Sequence, residues 1–456
     1  MTYQESTLKK WGLLALVWPI FLEQLLQMLM GSIDTIMLSQ VSDEAVAAVG
    51  VATQVYTLAT FLFGFVATGA SVLIVQAIGA KRHSQVGEVS VAALSLNLLV
   101  SVAISGVLAV FAEPLLRLFK LSEELVKYGV PYLAIVGASS FLTSLIVTIG
   151  VIMRGHGFVR EAMVASVIMN IFNVIGNYVA LFEPFGLPVF GTEGVAIATV
   201  VSRFIGLVML FILFYKRLPD LLPYQNGIRC TRQYALPILR IGIPSAGEYI
   251  SYNASQVVIT SFVAILGTAA LATKIYTQNL TMFIFLFSVS IGQATQILVG
   301  CLIGAKQSED AYRTCLKSLK ISLVITFGVS VIMFTFAQSL LGLFTNDPLV
   351  LETGRTLMLL TLLLEAGRTF NIVLIGSLNA AGDVRFPVVV GIISMWGLSV
   401  PLSYIFGICL GFGLAGIWWA FIIDEWLRGL LMLWRWRSRS WQRIELSLPK
   451  TINHVD

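Results

Sequence analysis

The chain repeats itself at a nearly constant offset, and that repeat restricts its fold more than any single motif. Pro19-x-x-x-Glu23 returns as Pro244-x-x-x-Glu248, Ile78–Gly79–Ala80–Lys81 as Ile303–Gly304–Ala305–Lys306, and Gly157-x-x-Arg160 as Gly382-x-x-Arg385, each 225 residues later. Asn177–Tyr178 is answered by Ser403–Tyr404 at 226, and Gly194-x-x-x-Ala198 by Gly416-x-x-x-Ala420 at 222. Five matches in one order describe a duplicated unit.

What is duplicated is a set of apolar runs. The 456 residues are 57% hydrophobic and 12% charged, with mean hydropathy +0.88, the balance of a polytopic membrane protein. Twelve runs are long enough to cross a bilayer as helices, beginning near residues 11, 46, 88, 127, 161 and 194 in the first half and 236, 270, 315, 354, 386 and 413 in the second. The expected fold is therefore all-α, with twelve transmembrane helices in two six-helix lobes. Six spans per copy is an even number, so the copies share an orientation and their pseudo-two-fold axis runs along the membrane normal. The expected divisions are an N-lobe over 1–217, an inter-lobe segment over 218–240 rich in Pro and Gly, and a C-lobe with its tail over 241–456. A cytoplasmic N-terminus places 21 Lys and Arg residues inside and four outside, so both termini are expected in the cytoplasm. The first run follows a short polar segment directly and is expected to remain as a span.

Several classes are excluded by what is missing. The only histidines are His83, His156 and His454, all outside the apolar runs, and no HExxH, GxSxG or P-loop pattern occurs. Cys230, Cys301, Cys315 and Cys409 lack zinc or disulfide spacing, so no metal centre and no cofactor is expected. The net charge of +5 follows membrane topology and does not indicate a nucleic-acid partner. The chain is not expected to be an enzyme. Without a nucleotide site, uphill transport needs an ion gradient.

Polar residues inside apolar runs are the functional candidates. In the first run Glu23, Gln27 and Asp34 fall on one helical face. Span five carries Asn170, Asn173 and Asn177 at i, i+3 and i+7, a polar stripe able to hydrogen-bond Asp34 or help coordinate a cation; interhelical amide packing is the competing reading. The repeat gives Glu23 a counterpart in Glu248, with Tyr252 and Ser255 following on its face. Glu365 and Arg368, at i and i+3 in span ten, have ion-pair spacing and suit a structural or gating role. Asp424, Glu425 and Arg428 in span twelve are expected to satisfy one another or reach the interface, and Lys274 sits early in span eight.

The Pro19…Gly31-x-x-Asp34 helix, Ile-Gly-Ala-Lys at the ends of spans two and eight, Ala380–Ala381–Gly382–Asp383 after span ten and the two six-helix halves together resemble the multidrug and toxic compound extrusion (MATE) transporters. The resemblance covers nearly the whole chain. It implies a cavity between two lobes and export of cationic or amphipathic compounds in exchange for H⁺ or Na⁺. The bacterial inner membrane is the expected location and small molecules and lipids the expected partners, and nothing in the sequence requires more than a monomer. By position, Asp34 matches the family's first-helix aspartate, and Asn173 and Asn177 match fifth-helix positions lining the same cation site, where Na⁺ is a possible ligand. Asn177 stands where DinF-type members carry an aspartate; an amide resembles the NorM type. Glu248 is the candidate for the seventh-helix glutamate of NorM-type members, one turn nearer its proline. Arg368 stands where that branch has an acidic residue, so coupling is expected in the N-lobe, with protons favoured. The main alternative is a lipid-linked precursor flippase of the MurJ or Wzx type, although the intramembrane candidates here are mainly acidic. A major-facilitator carrier lacks its loop signature here, and an intramembrane enzyme lacks a nucleophile–base or metal set. A channel differs from a carrier in its steady-state gradient.

Overall fold

The structure is a computed structural model that describes residues 12–40, 42–119, 121–182, 190–219, 221–222 and 227–444. Lys9, Lys10 and Lys450, three of the 21 basic residues expected inside, Lys120, one of the four expected outside, and His454 lie outside the described residues. Among the described residues the regular structure is entirely helical. Backbone polar groups in hydrocarbon must be satisfied within the segment, and apolar runs of this length meet that demand as helices.

Twelve long helical stretches follow in order. They are α1 (Leu13–Ser39), α2 (Asp43–Gly79), α3 (His83–Val110), α4 (Glu123–Ala138 continued by Ser140–Gly155), α5 (Val159–Leu181) and α6 (Gly191–Arg217), then α7 (Gly227–Ile265), α8 (Thr268–Gly304), α9 (Ser308–Thr335), α10 (Pro348–Ala380), α11 (Arg385–Cys409) and α12 (Gly413–Arg437). Among the described residues nine helices are individually long and apolar enough to cross a membrane, and the two halves of α4, bent by 45°, make a tenth. The helices α7 and α12 complete the twelve-helix count; both carry several charged residues. Starts are marked by side-chain caps. Ser42 accepts from the Ala45 amide, Ser122 from Leu125, and Asp347 from Leu349 with Pro348 opening α10. Of the expected inter-lobe segment 218–240, residues 220 and 223–226 lie outside the described residues, and the chain is helical from Gly227 onward.

The repeat is written into the backbone as well as the sequence. Lys81 and Lys306 end their helices at φ 58° and 60°, and Gly157 and Gly382 follow theirs at 83° and 87°. Each of these four turns closes with the same two amide bonds, as in Gly157 N–H to Arg154 O and Phe158 N–H to Met153 O, both 2.9 Å.

The described residues separate into two compact units, one of residues 12–21 with 244–444 and one within Leu22–Ile243. Both divisions fall inside helices, just past Pro19 in α1 and at Pro244 in α7. In the Leu22–Ile243 unit the core runs through Val55, Leu116, Leu133, Val136 and Val195. Gly194 packs its α-carbon against Ala180, so α6 lies close on α5. In the unit of residues 244–444, Ile259, Val263, Leu357, Ile417 and Trp418 form the corresponding core. Small hydroxyls join helices at related places. Ser144 Oγ donates to the Asn97 carbonyl at 3.1 Å in the first unit. Thr369, 225 residues later, bonds Ser288 at 2.6 Å and Thr326 at 3.1 Å in the second.

Candidate functional site

The candidate site in the Leu22–Ile243 unit begins with Asp34, three turns past the last polar residue of α1's first half. Asn177 Nδ2 donates to Asp34 Oδ1 at 2.6 Å. Asn177 also reaches Asn173 Oδ1 at 3.4 Å, and Asn173 Nδ2 reaches Thr199 Oγ1 on α6 at 3.4 Å. Asn173 and Asn177 are fully buried, while Asp34 is partly exposed. A carboxylate, two amides and a hydroxyl thus run in series across α1, α5 and α6. The remaining oxygen of Asn177 is buried and accepts no hydrogen bond, so an acceptor atom sits beside the carboxylate. Burying an unsatisfied acceptor costs about 1–3 kcal/mol, and such atoms recur where function requires them.

The other residues of the predicted face separate from this chain. Asn170 turns back on its own helix, donating to the Ser166 carbonyl at 2.7 Å. Glu23 forms an ion pair with Arg154 of α4 at 2.9 Å, both partly buried. Gln27 is exposed and, with Glu23, lines a cavity of about 30 Å³ against Ser166, Met169 and Gly206. That volume admits about one water molecule. The three polar residues of α1 therefore serve two places: Asp34 faces α5, and Glu23 with Gln27 lies about two to three turns away.

In the unit of residues 244–444 the expected pair of Glu365 and Arg368 is present at 2.5 Å and belongs to a larger buried cluster. Arg368 Nε lies 3.6 Å from Glu425, which accepts from Asn371 at 3.0 Å. Arg428 bridges Glu425 at 2.9 Å and Asp424 at 3.0 Å, and Asp424 accepts from Ser394 of α11. Asp424, Glu425 and Arg428 of α12 are buried and turn inward to α10 and α11; none of the three reaches toward an interface. Glu248 packs its carboxylate against Gly391 of α11, within the field of Arg428 and Glu425, and Tyr252 lies in the field of Arg368 and Glu425. Four carboxylates meet two guanidinium groups, so the cluster is two negative charges in excess when all are ionised. Among the described residues no group of three or more His, Cys, Asp or Glu side chains is arranged to hold a metal ion.

Sequence reasoning missed Arg203. It stands on α6 one turn past Thr199, donates from Nη1 to the Tyr56 hydroxyl at 2.8 Å, and lies over the Tyr56 ring at 4.8 Å. The signal was available: of the 29 basic residues, 25 fall at the ends of spans or in the connections and tail, and Arg203 is one of the four that do not. Arg203 was the one of the four not singled out, because it forms no motif with a sequence neighbour.

Comparison with known proteins fits this architecture. The MatE family model matches residues 19–179 and 244–405, one match in each half. A transporter of Bacillus subtilis strain 168, YisQ, is 47% identical over 433 residues, covering 95% of both chains. The probable multidrug resistance protein NorM of Thermotoga maritima is 27% identical, covering 94% of this chain and 93% of its own. Among solved structures, a multidrug resistance MATE family transporter in an outward-facing conformation superposes with a TM-score of 0.84 at 23% identity, covering 97% of this chain and all of that one. A MOP superfamily transporter of Pyrococcus furiosus superposes with a TM-score of 0.83 at 22% identity, over 98% of this chain.

Proposed function

We propose, on the premise that the chain belongs to the MatE family of multi-pass membrane transporters, that it is a secondary antiporter exporting cationic, partly apolar compounds in exchange for protons. The contact that carries this reading is the one between Asp34 and Asn177. It leaves one intramembrane carboxylate, oriented by a buried amide, as the shared charge of the site. Inward-facing and ionised, Asp34 attracts a cationic substrate. Outward-facing, a proton takes its charge and the substrate leaves. Competition for one negative charge is sufficient for antiport, because each ligand weakens the other. Sodium could take the proton's place, with the free oxygen of Asn177 as a further ligand. The names of bacterial relatives such as the probable multidrug resistance protein NorM support the substrate class. The same kinship supports an inner-membrane location, and the inside excess of Lys and Arg supports cytoplasmic termini. A monomer suffices for this scheme.

The test is uptake of a cationic dye into proteoliposomes under an imposed pH gradient or an imposed Na⁺ gradient, for the native protein and Asp34→Asn. Accumulation driven by the pH gradient and lost in the variant is the expected result. Accumulation driven only by Na⁺ would replace the coupling ion, and full activity in Asp34→Asn would overturn the mechanism.

A further inference from the structure

Four basic residues lie within the membrane-spanning runs, and two of them, Arg368 and Arg428, are compensated by carboxylates. Lys274 donates to Thr260, Arg368 pairs with Glu365 and Glu425, and Arg428 pairs with Asp424 and Glu425. Arg203, like Lys274, has no carboxylate within ion-pair distance among the described residues, but it lies within the field of one, Asp34. Its charge is met by the Tyr56 hydroxyl at 2.8 Å and by the face of the Tyr56 ring. That hydroxyl is held in turn by Thr143 of α4 at 2.7 Å. An intramembrane guanidinium without an acidic partner is costly, and cation–π contact offsets only part of the cost.

The carboxylate within its field is Asp34. Arg203 and Thr199 share a face of α6 one turn apart, and Thr199 closes the series that runs through Asn173 and Asn177 to Asp34. Tyr56 of α2, held by Thr143 of α4, meets Arg203; Asn177 of α5, in series with Asn173 and Thr199 of α6, meets Asp34; and Tyr132 of α4, bonded to Thr53 of α2, lies in the field of both. None of these neighbours is acidic, so Asp34 and Arg203 together are neutral before any ligand arrives.

We propose that Arg203 is a specificity-determining residue: a tethered cation, moored on Tyr56, that competes with the transported cation and the coupling ion for the charge of Asp34. This rests on the reading that Asp34 is the shared site. A carboxylate with no resident counter-charge binds a monovalent cation more tightly than one that shares its field with a guanidinium. A resident positive charge at a fixed remove weakens every such complex. It also makes binding of a lipophilic monocation depend on the mooring, because a guanidinium freed from Tyr56 has Asp34 as its natural partner.

Arg203→Gln and Tyr56→Phe are expected to act with opposite signs. Equilibrium binding of tetraphenylphosphonium, a permanent monocation, is measured on the purified full chain at fixed pH. Arg203→Gln is expected to bind it about tenfold more tightly, Arg203→Lys about as the native protein does, and Tyr56→Phe several-fold more weakly. In an Asp34→Asn background the gain from Arg203→Gln should vanish, since a coupling that acts through Asp34 cannot survive its removal. Unchanged or weaker binding by folded Arg203→Gln would overturn the proposal, as would a gain that persists without Asp34. Should Arg203→Gln fail to fold, the direction of the Tyr56→Phe change decides alone: weaker binding supports the tether and tighter binding refutes it. Native-like binding by Asp34→Asn is a separate outcome, which would remove the shared site itself.

Discussion

Lys81 and Lys306 stand 225 residues apart, and each adopts a left-handed backbone at the end of its helix, φ 58° and 60°. This conformation costs a side-chain-bearing residue about 1–2 kcal/mol, and glycine adopts it freely. Lysine at both places gives up that stability and places a cation at the end of the helix, where the topology asks for one. Lys81→Gly and Lys306→Gly should leave the thermal midpoint unchanged or slightly raised in detergent. Lys81→Ile and Lys306→Ile should lower it, because a β-branched residue fits this region worst. A neutral isoleucine at both sites would contradict the account.

The cluster around Arg428 predicts a sharp asymmetry between single and paired changes. Glu365 is fully buried and pairs with Arg368, while Arg428 holds both Asp424 and Glu425. Removing one partner strands a buried charge, at about 3–5 kcal/mol. Arg428→Ala and Arg368→Ala should therefore lower the thermal midpoint strongly. The double change of Glu365→Gln with Arg368→Met should cost less than Arg368→Met alone. Additive losses in that double variant would show that the pair is not coupled.

Two close approaches hold α7 against α2. A methyl at Gly69 would lie 2.1 Å from the Ile238 carbonyl oxygen, and one at Gly242 would lie 2.2 Å from the Phe65 carbonyl oxygen. Gly69→Ala and Gly242→Ala should each lose about 1–3 kcal/mol, since backbone must separate to admit the added atom. Gly64 and Gly247 sit in the same two helices with open space around them. Their alanine variants should be neutral or stabilising, by up to about 1 kcal/mol, through helix propensity. Thermal denaturation of the four variants side by side separates close packing from a general intolerance of substitution.

Glu23 and Asp34 share a helix and should differ in what they support. Glu23 is occupied by Arg154 at 2.9 Å, and Asp34 by a neutral amide. Glu23→Gln should reduce thermal stability by about 1–2 kcal/mol while leaving gradient-driven dye uptake in place. Loss of uptake in a well-folded Glu23→Gln protein would move the coupling role, or part of it, to this second carboxylate.

The sequence by itself determined the helices, their number and the duplication, because a bilayer leaves an apolar run little choice but a helix. It also singled out Asp34 with Asn173 and Asn177, since polar groups at helical spacing in apolar surroundings are conspicuous. It could not say which polar residues meet. Glu23, Gln27 and Asp34 share a face by period, yet the partners of Glu23 and Asp34 lie 131 and 143 residues away. Asn170 lies on the stripe but bonds its own helix. Asp424, Glu425 and Arg428 satisfy one another as their spacing suggests, but only packing decided that they also join Glu365 and Arg368 of α10. Arg203 is the clearest case. Its significance lies in Tyr56, 147 residues earlier, and in the absence of a nearer carboxylate. Local physics fixes periodicity and hydropathy; the pairing of charges is decided by which helices pack together, and that is a property of the tertiary structure alone.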